Sequence, residues 1–441
     1  MIEKECKKAS EAIRYALDRG ASDARVTISK STENLVSVLD GEIDRITSCA
    51  DCSLSLALFV DGRFGSFSTN RLDSASLDAF IDNAIDTVRM MAPDGCRALP
   101  DLERCCRTAL TGDELDLYDA EYELMTPERR KEIALSAALK VDPEGYEIAS
   151  EEGEYSDSVY ETVVMDSHGL KCLHRETSFD YGVEVTVEAC GEKYCSYHWV
   201  SSSRLADLDI EGCGKIAMEK AAAQIGSAPT ESGKYNMVID SEVASKVVSP
   251  VLNALNAYSL HQQNSFLGGT MGKKMFPEGM TLVDNPHIKG QVCSKLFDSE
   301  GVATVSTPIV ENGVVKEYFV NTYMSRKMGT APTVEDPTRP QLLPWPVKGM
   351  TRADVLEMCG NGILVTDFNG GNSNPATGDF SYGIEGFLFE NGAVVRPVSG
   401  MLVTGNFLTL WNSLLAVADD ARPCMSKLIP TLAFSNVDFS G

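Results

Sequence analysis

The chain has 441 residues, 43% apolar and 23% charged, a composition that supports buried cores and excludes a fibrous or disordered protein. Its 64 acidic against 39 basic side chains leave a net charge of −25, which repels phosphate backbones and argues against direct nucleic-acid binding. No run of about 18 uninterrupted apolar residues occurs, so no membrane-spanning helix is expected, and thirteen cysteines, an odd number often in apolar surroundings, fit a reduced cytoplasmic protein better than a disulfide scaffold.

Residues 2–17 space Cys6, Ala9, Ile13, Ala16 and Leu17 at helical intervals, and Gly20 follows as a stop. The charges among them predict an amphipathic helix and no signal peptide. Four short strands are expected at 24–28, 35–39, 42–48 and 53–60, punctuated by Asp40-Gly41 and Asp61-Gly62. A helix over 74–91 follows, with Leu77, Phe80, Ile81, Ala84, Ile85 and Val88 on one face. Residues 93–126 lack periodicity and predict a long surface connection, ended by Thr126 as cap and Pro127 at the first position of a helix running to 139.

A second meander is predicted at 160–165, 170–176, 180–189 and 194–201, before a helix over 210–225. Ser201-Ser202-Ser203-Arg204-Leu205 ahead of that helix parallels Ser68-Thr69-Asn70-Arg71-Leu72 ahead of the 74–91 helix. The region therefore reads as an internal duplication of one α+β unit. The polar linker 227–233 is the boundary between an N-terminal domain, 1–228, and a β-rich C-terminal domain, 229–441.

Beyond the linker, a buried strand at 235–239 precedes a helix over 242–257 capped by Ser241, and glycines make a loop of 268–279. Strands are predicted at 281–284, 301–310 and 314–320, the last two joined by Asn312-Gly313. Five prolines between 332 and 346 predict an irregular loop, either disordered or pinned by a partner. A strand at 361–368, a helix at 406–418 and a final segment at 428–439 complete the domain. Between them Phe380, Tyr382 and Ile384 alternate with Ser381, Gly383 and Glu385, and the run turns back at Asn391-Gly392. Gly378, Gly383 and Gly386 along that strand imply a bulge or a face kept bare for another chain.

Little in the sequence points to chemistry. His168, His174, His198, His261 and His287 share no metal-binding spacing with acids or cysteines, and each reads as a surface or core residue. Cys49-x-x-Cys52 lacks a βαβ context, Cys105-Cys106 lies in an acidic loop, and Ser381 has neither a Gly-x-Ser-x-Gly elbow nor an evident base. Gly268-Gly269 and Gly370-Gly371 lack the strand and lysine of a phosphate loop.

Three separated blocks carry a resemblance: Phe297-Asp298-Ser299-Glu300-Gly301-Val302-Ala303-Thr304, then Thr377-Gly378-Asp379-Phe380-Ser381 with Gly383 and Gly386, then the tail from Pro430-Thr431-Leu432 to Gly441. They look like the signature blocks of the TldD/PmbA family in the family's order, and the resemblance runs along nearly the whole chain. That family was named for modulation of DNA gyrase, which we take as genetics and not as a contact, and is classed as metallopeptidases. The resemblance implies a two-protein peptidase in which a TldD subunit carries zinc and a PmbA (TldE) subunit completes the chamber. This chain looks like the PmbA subunit.

In the family's catalytic members a helix carries His-Glu-x-x-x-His, two imidazoles for zinc and a glutamate as general base. The matching stretch here, 242–257, holds no histidine: Ser249 and Ala254 stand at the ligand positions and Pro250 at the glutamate. Cys424 resembles the family's remaining ligand as a vestige. The resemblance thus implies no catalytic or metal-binding residue in this chain and zinc in a TldD-like partner, as a heterodimer or else a homodimer. An extended, unfolded peptide would be held by main-chain hydrogen bonds along an exposed strand, with Phe297, Asp298, Glu300, Gly301, Thr304, Gly378, Asp379, Phe380, Ser381 and Gly383 as candidate wall residues. Asp298, Glu300 and Asp379 read first as braces of turns. Two rivals are a stand-alone peptidase or hydrolase using Cys424 or a serine, and a homodimeric binding or scaffold protein.

Overall fold

The computed structural model describes residues 2–139 and 143–441. Positive φ at both Asp40 and Gly41, 48° and 79°, forms a two-residue turn whose twist matches paired strands. It joins β1 (Asp23–Leu39) to β2 (Glu42–Val60), and Asp61-Gly62 joins β2 to β3 (Arg63–Thr69) in the same way. The four short strands expected before residue 60 are therefore two long ones. Their polar middles stay extended because they pair with each other, Ser29 opposite Ser53 and Asn34 opposite Ser48.

Helix α1 (Ile2–Asp18) precedes this meander, and α2 (Ser74–Met90) follows it, capped by the Asp73 carboxylate, which accepts from Ser76 N. The same order then recurs: α3 (Pro127–Ser136), capped by Thr126, β4 (Glu147–Asp166), β5 (Lys171–Ala189), β6 (Glu192–Ser202) and α4 (Cys213–Ala222). β1 pairs antiparallel with β4, so the two copies share one six-stranded sheet, β3-β2-β1-β4-β5-β6, curved as a half-barrel. Ile13 of α1 and Ile81 and Val88 of α2 pack on Leu56 of the first half; Ile133 of α3 and Met218 of α4 pack on Tyr155 and Val185 of the second. The connection before α3 is more than a surface loop. Leu173 N, Arg175 N and Thr177 N donate to the carbonyls of Ala109, Gly112 and Leu117, so it lies as a strap along β5 beyond the end of β6.

After the linker, β7 (Gly233–Ile239) runs parallel to β12 (Gly362–Asp367) and antiparallel to β17 (Leu432–Ser440). β17 pairs with β15 (Ala393–Asn406), β15 with β14 (Asp379–Glu390), and β14 returns to β12, which closes a five-stranded barrel. β13 (Gly371–Ser373) and β16 (Leu414–Val417) are appended to β14 and β17. A four-stranded sheet beside the barrel orders β10 (Val314–Val315), β9 (Thr307–Glu311), β8 (Leu282–Asp284) and β11 (Pro340–Leu342). The fold is thus α+β, a duplicated helix-and-meander region followed by a β-rich one. No helix among the described residues is long and apolar enough to cross a membrane.

Several expectations shift here. α5 (Ser245–Ala254) starts three residues late, because residues 241–244 form turns and Ala244, not Ser241, stands at the cap. The helix then breaks, and Asn256 caps a separate α6 (Ala257–His261). The proline-rich 332–346 stretch is pinned by its own chain. Arg339 is fully buried, donating to the carbonyls of Val292 and Pro423, while Asp284 accepts from Thr338 N and Arg339 N. α7 (Thr322–Met328) and α8 (Arg352–Cys359) flank that stretch, and α9 (Phe407–Asn412) ends early because the chain extends into β16. The strands expected at 301–310 and 314–320 shrink to β9 and β10, since Gly301, at φ 83°, turns the chain.

Candidate functional site

Residues 297–304 form a tight turn held by its own carboxylate. Gly301 N donates to Asp298 O, Asp298 N to Val302 O, and Asp298 Oδ1 accepts from Glu300 N and Val302 N at 2.9 Å each. Oδ2 accepts from Glu335 N at 3.2 Å, tying the turn to the proline-rich stretch. A Cβ on Gly301 would fall 2.4 Å from Leu170 Cδ2, so this close approach requires glycine. Glu300 is buried and accepts from Thr322 N and Oγ1 at the start of α7, and Thr304 donates to Lys295 O while meeting His287 Nε2 at 2.9 Å. Glu300, Gly301 and Thr304 therefore serve the turn.

Phe297 and Asp298 also face a cleft of about 400 Å³. Its far wall is β4 and β5, which contribute Tyr160, Thr162, His174 and Glu176. His174 Nε2 meets Glu176 Oε2 at 3.1 Å, and the ring of Phe297 stands edge-on to the imidazole with centroids 6.4 Å apart. Burial, then Glu335 and Glu300, push the Asp298 carboxyl up to about 7 against the pull of its main-chain N–H partners. Burial works to raise Glu176 as well, but His174 and Lys295 outweigh it and hold that carboxyl below its usual range. Cys293, also in the lining, has its thiol pushed up by burial, so it is a poor nucleophile. The cleft offers hydrogen-bond acceptors and a carboxyl that burial makes easier to protonate, groups suited to holding a polar ligand.

His174 and Glu176 were missed from sequence. The signal was there, since residues i and i+2 of a strand share a face.

The second expected block is architectural. Asp379 accepts from Asn406 Nδ2 at 2.9 Å and Thr377 Oγ1 at 2.7 Å, which hold its carboxyl below the usual range. Phe380 stacks on Phe407 at 4.8 Å and Tyr382 at 5.4 Å. A Cβ on Gly378 would meet the Phe266 ring at 3.1 Å, and one on Gly383 would meet Asn369 Oδ1 at 2.3 Å. Gly386 sits at a bulge, where a Cβ would come within 1.9 Å of Leu364 O of β12. Of the two readings of these glycines, the bulge holds at Gly386. β14 is also no exposed strand: β15 takes one edge and β12 and β13 the other, because the ring closes through it. Ser381 is exposed and does not line the cleft.

On α5, Ser249 and Pro250 line an open hollow of about 450 Å³ with Lys246, Asn253, Asp367 and Tyr382, while Ala254 is buried in the core. A catalytic zinc needs about three nitrogen, sulfur or oxygen ligands. These residues do not supply them, and among the described residues no three His, Cys, Asp or Glu side chains gather as a metal would require. Cys424 is half-buried in the turn after Arg422 and lines neither the cleft nor the hollow. His168 meets Asp23 at 2.6 Å and His198 lies 3.8 Å from Glu242, so each contacts a single carboxylate.

Family models match in succession: the PmbA/TldA metallopeptidase domain 1 over residues 24–87, the central domain over 122–225 and the C-terminal domain over 232–441. Metalloprotease PmbA of Escherichia coli O157:H7 is 27% identical over 446 residues, spanning 98% of this chain and 97% of that protein. The metalloprotease PmbA homolog of Haemophilus influenzae is 28% identical, spanning 95% and 92%. Among solved structures, a Bacteroides thetaiotaomicron protein described as a "putative modulator of DNA gyrase" is 37% identical, with a TM-score of 0.95 over 100% of both chains. TldE from Thermococcus kodakarensis shares the fold at 20% identity, with a TM-score of 0.83 over 98% and 100%.

Proposed function

The chain belongs to the PmbA/TldA metallopeptidase family, and from that premise we propose that it is the PmbA (TldE)-type subunit of a two-chain cytoplasmic peptidase, a subunit that cleaves no bond itself. One observation carries the reading: α5 presents Ser249, Pro250 and Ala254 where catalytic relatives are expected to present two histidines and a glutamate. Zinc and hydrolysis belong to a TldD-like partner. This chain walls the chamber and receives unfolded peptide, and the Asp298 cleft supplies acceptors for donor groups of that ligand.

Elemental analysis of protein purified without chelator tests the metal assignment. Zinc well below one atom per chain is expected; one zinc per chain, lost on Cys424→Ala, would overturn it. Co-expression with a family member bearing His-Glu-x-x-x-His tests the partner. The expected result is a stable pair that cleaves unfolded peptides, with this chain inert alone.

A further inference from the structure

A separate cavity of about 440 Å³ opens between the six-stranded sheet and the barrel, walled by β6, α4, β12 and β14. Its apolar rim is poorly covered: Tyr197 of β6 is 48% exposed, Ile216 of α4 38% and Val394 of β15 51%. Apolar side chains gathered around one hole mark a surface that something else covers. β6 is also the last strand of its sheet, so among the described residues its outer edge pairs with no other strand, and the Trp199 carbonyl there accepts from Arg422.

Two further observations point to an occupant. Gln224 Oε1, in the lining, is buried without a hydrogen-bond partner among the described residues, and such orphans are rare in folded proteins. The cavity also adjoins the hollow that holds Ser249 and Pro250, since Glu242 and Asp367 line both. A groove along these two residues would link the edge of β6 to the face of α5.

Charge narrows the occupant. Carboxylates outnumber cations five to two in the lining. Both cations are already paired, Lys220 with Glu242 at 2.7 Å and Arg352 with Asp240. Asp367 and Glu385 have no counter-cation among the described residues and face the groove.

We propose that this groove, and not β14, is the rail for an extended peptide, which adds as a strand on β6, sets one large apolar side chain into the cavity and places a basic residue against Asp367 and Glu385. The inference rests on the peptide-receiving role above and adds to the Asp298 cleft a second point of contact with a stated preference. The peptide's main chain supplies affinity along β6, and the cavity selects the side chain, as in other strand-addition complexes.

The test is fluorescence anisotropy with the full chain and the probe fluorescein-Ser-Lys-Phe-Lys-Ser-amide. Ile216→Gln and Val394→Gln, at exposed positions on different elements, are each expected to weaken binding about tenfold or more while the melting temperature moves by no more than ~2 °C. Replacing the probe's Phe with Gly, or N-methylating alternate main-chain nitrogens, is expected to do the same. No binding by the natural chain, or equal binding by it and both variants, overturns the proposal. Such a failure with a zinc-bearing partner still co-purifying would remove the groove and leave the subunit assignment standing; intact groove binding with no partner would do the reverse.

Discussion

Asp298 gives the candidate cleft a pH response whose sign is fixed. An unfolded aspartate titrates near 3.9, whereas burial and the neighbouring Glu335 and Glu300 hold this one at about 7. Between roughly pH 4 and 7 the folded chain therefore keeps a proton that the unfolded chain has released. That contribution, on the order of 4 kcal/mol, is fully present below the unfolded value and is lost as pH rises through about 7. Thermal melts at about pH 5 and about pH 8 should show the natural chain losing more stability across the interval than Asp298→Asn, which has no proton to lose. Parallel curves for the two proteins would contradict the assignment. Asp157 poses the opposite case: it is fully buried and ionically paired, accepting from Arg130 Nε at 2.6 Å, Arg130 Nη2 at 2.9 Å and Asn34 Nδ2 at 3.0 Å. Asp157→Ala leaves a guanidinium unpaired and is expected to cost about 3–5 kcal/mol in urea unfolding. Restoring much of that loss with the double variant Asp157→Leu, Arg130→Met would show that the stranded charge is the cause.

At the scale of elements, what the sequence made legible was local. The Thr126 cap, the Asp-Gly turns and the helix over 74–90 rest on residues within a turn of one another, and they formed where expected. What stayed hidden depended on distant partners. The polar stretches inside β1 and β2 look like breaks until each is seen to pair with the other, and Arg339 looks like a loop residue until the carbonyls of Val292 and Pro423 are placed beside it. The candidate cleft divided along the same line: Asp298 was visible in a signature block, but the strand face opposite it, His174 and Glu176, lies more than a hundred residues earlier. The glycines of β14 were legible as special without revealing why. Gly386→Ala, which drives a Cβ against Leu364 O in the β12–β14 ladder, is expected to destabilise by at least about 3 kcal/mol or to abolish soluble expression. Gly405→Ala, whose Cβ would meet only the Phe380 ring at 3.1 Å, should be milder, and comparing soluble yield and urea midpoint separates the two.

At the scale of the molecule, duplication explains why one sheet carries two sets of flanking helices and ends on β3 and β6. The copies are no longer equivalent. β3 covers only residues 54–60 of β2, whereas β6 runs against residues 179–189 of β5 and the strap takes up the rest. The C-terminal barrel closes differently, through a strand from the end of the sequence: β17 stands between β7 and β15, and Lys234 reaches Asp438 across 204 residues. During synthesis, β7 leaves the ribosome long before the neighbour it needs, with the apolar run Met237-Val238-Ile239 uncovered until the last nine-residue strand emerges. Nascent chains stalled before residue 432 should be cut readily by protease and bound by holdase chaperones, and emergence of residues 432–440 should be the event that makes the barrel resistant.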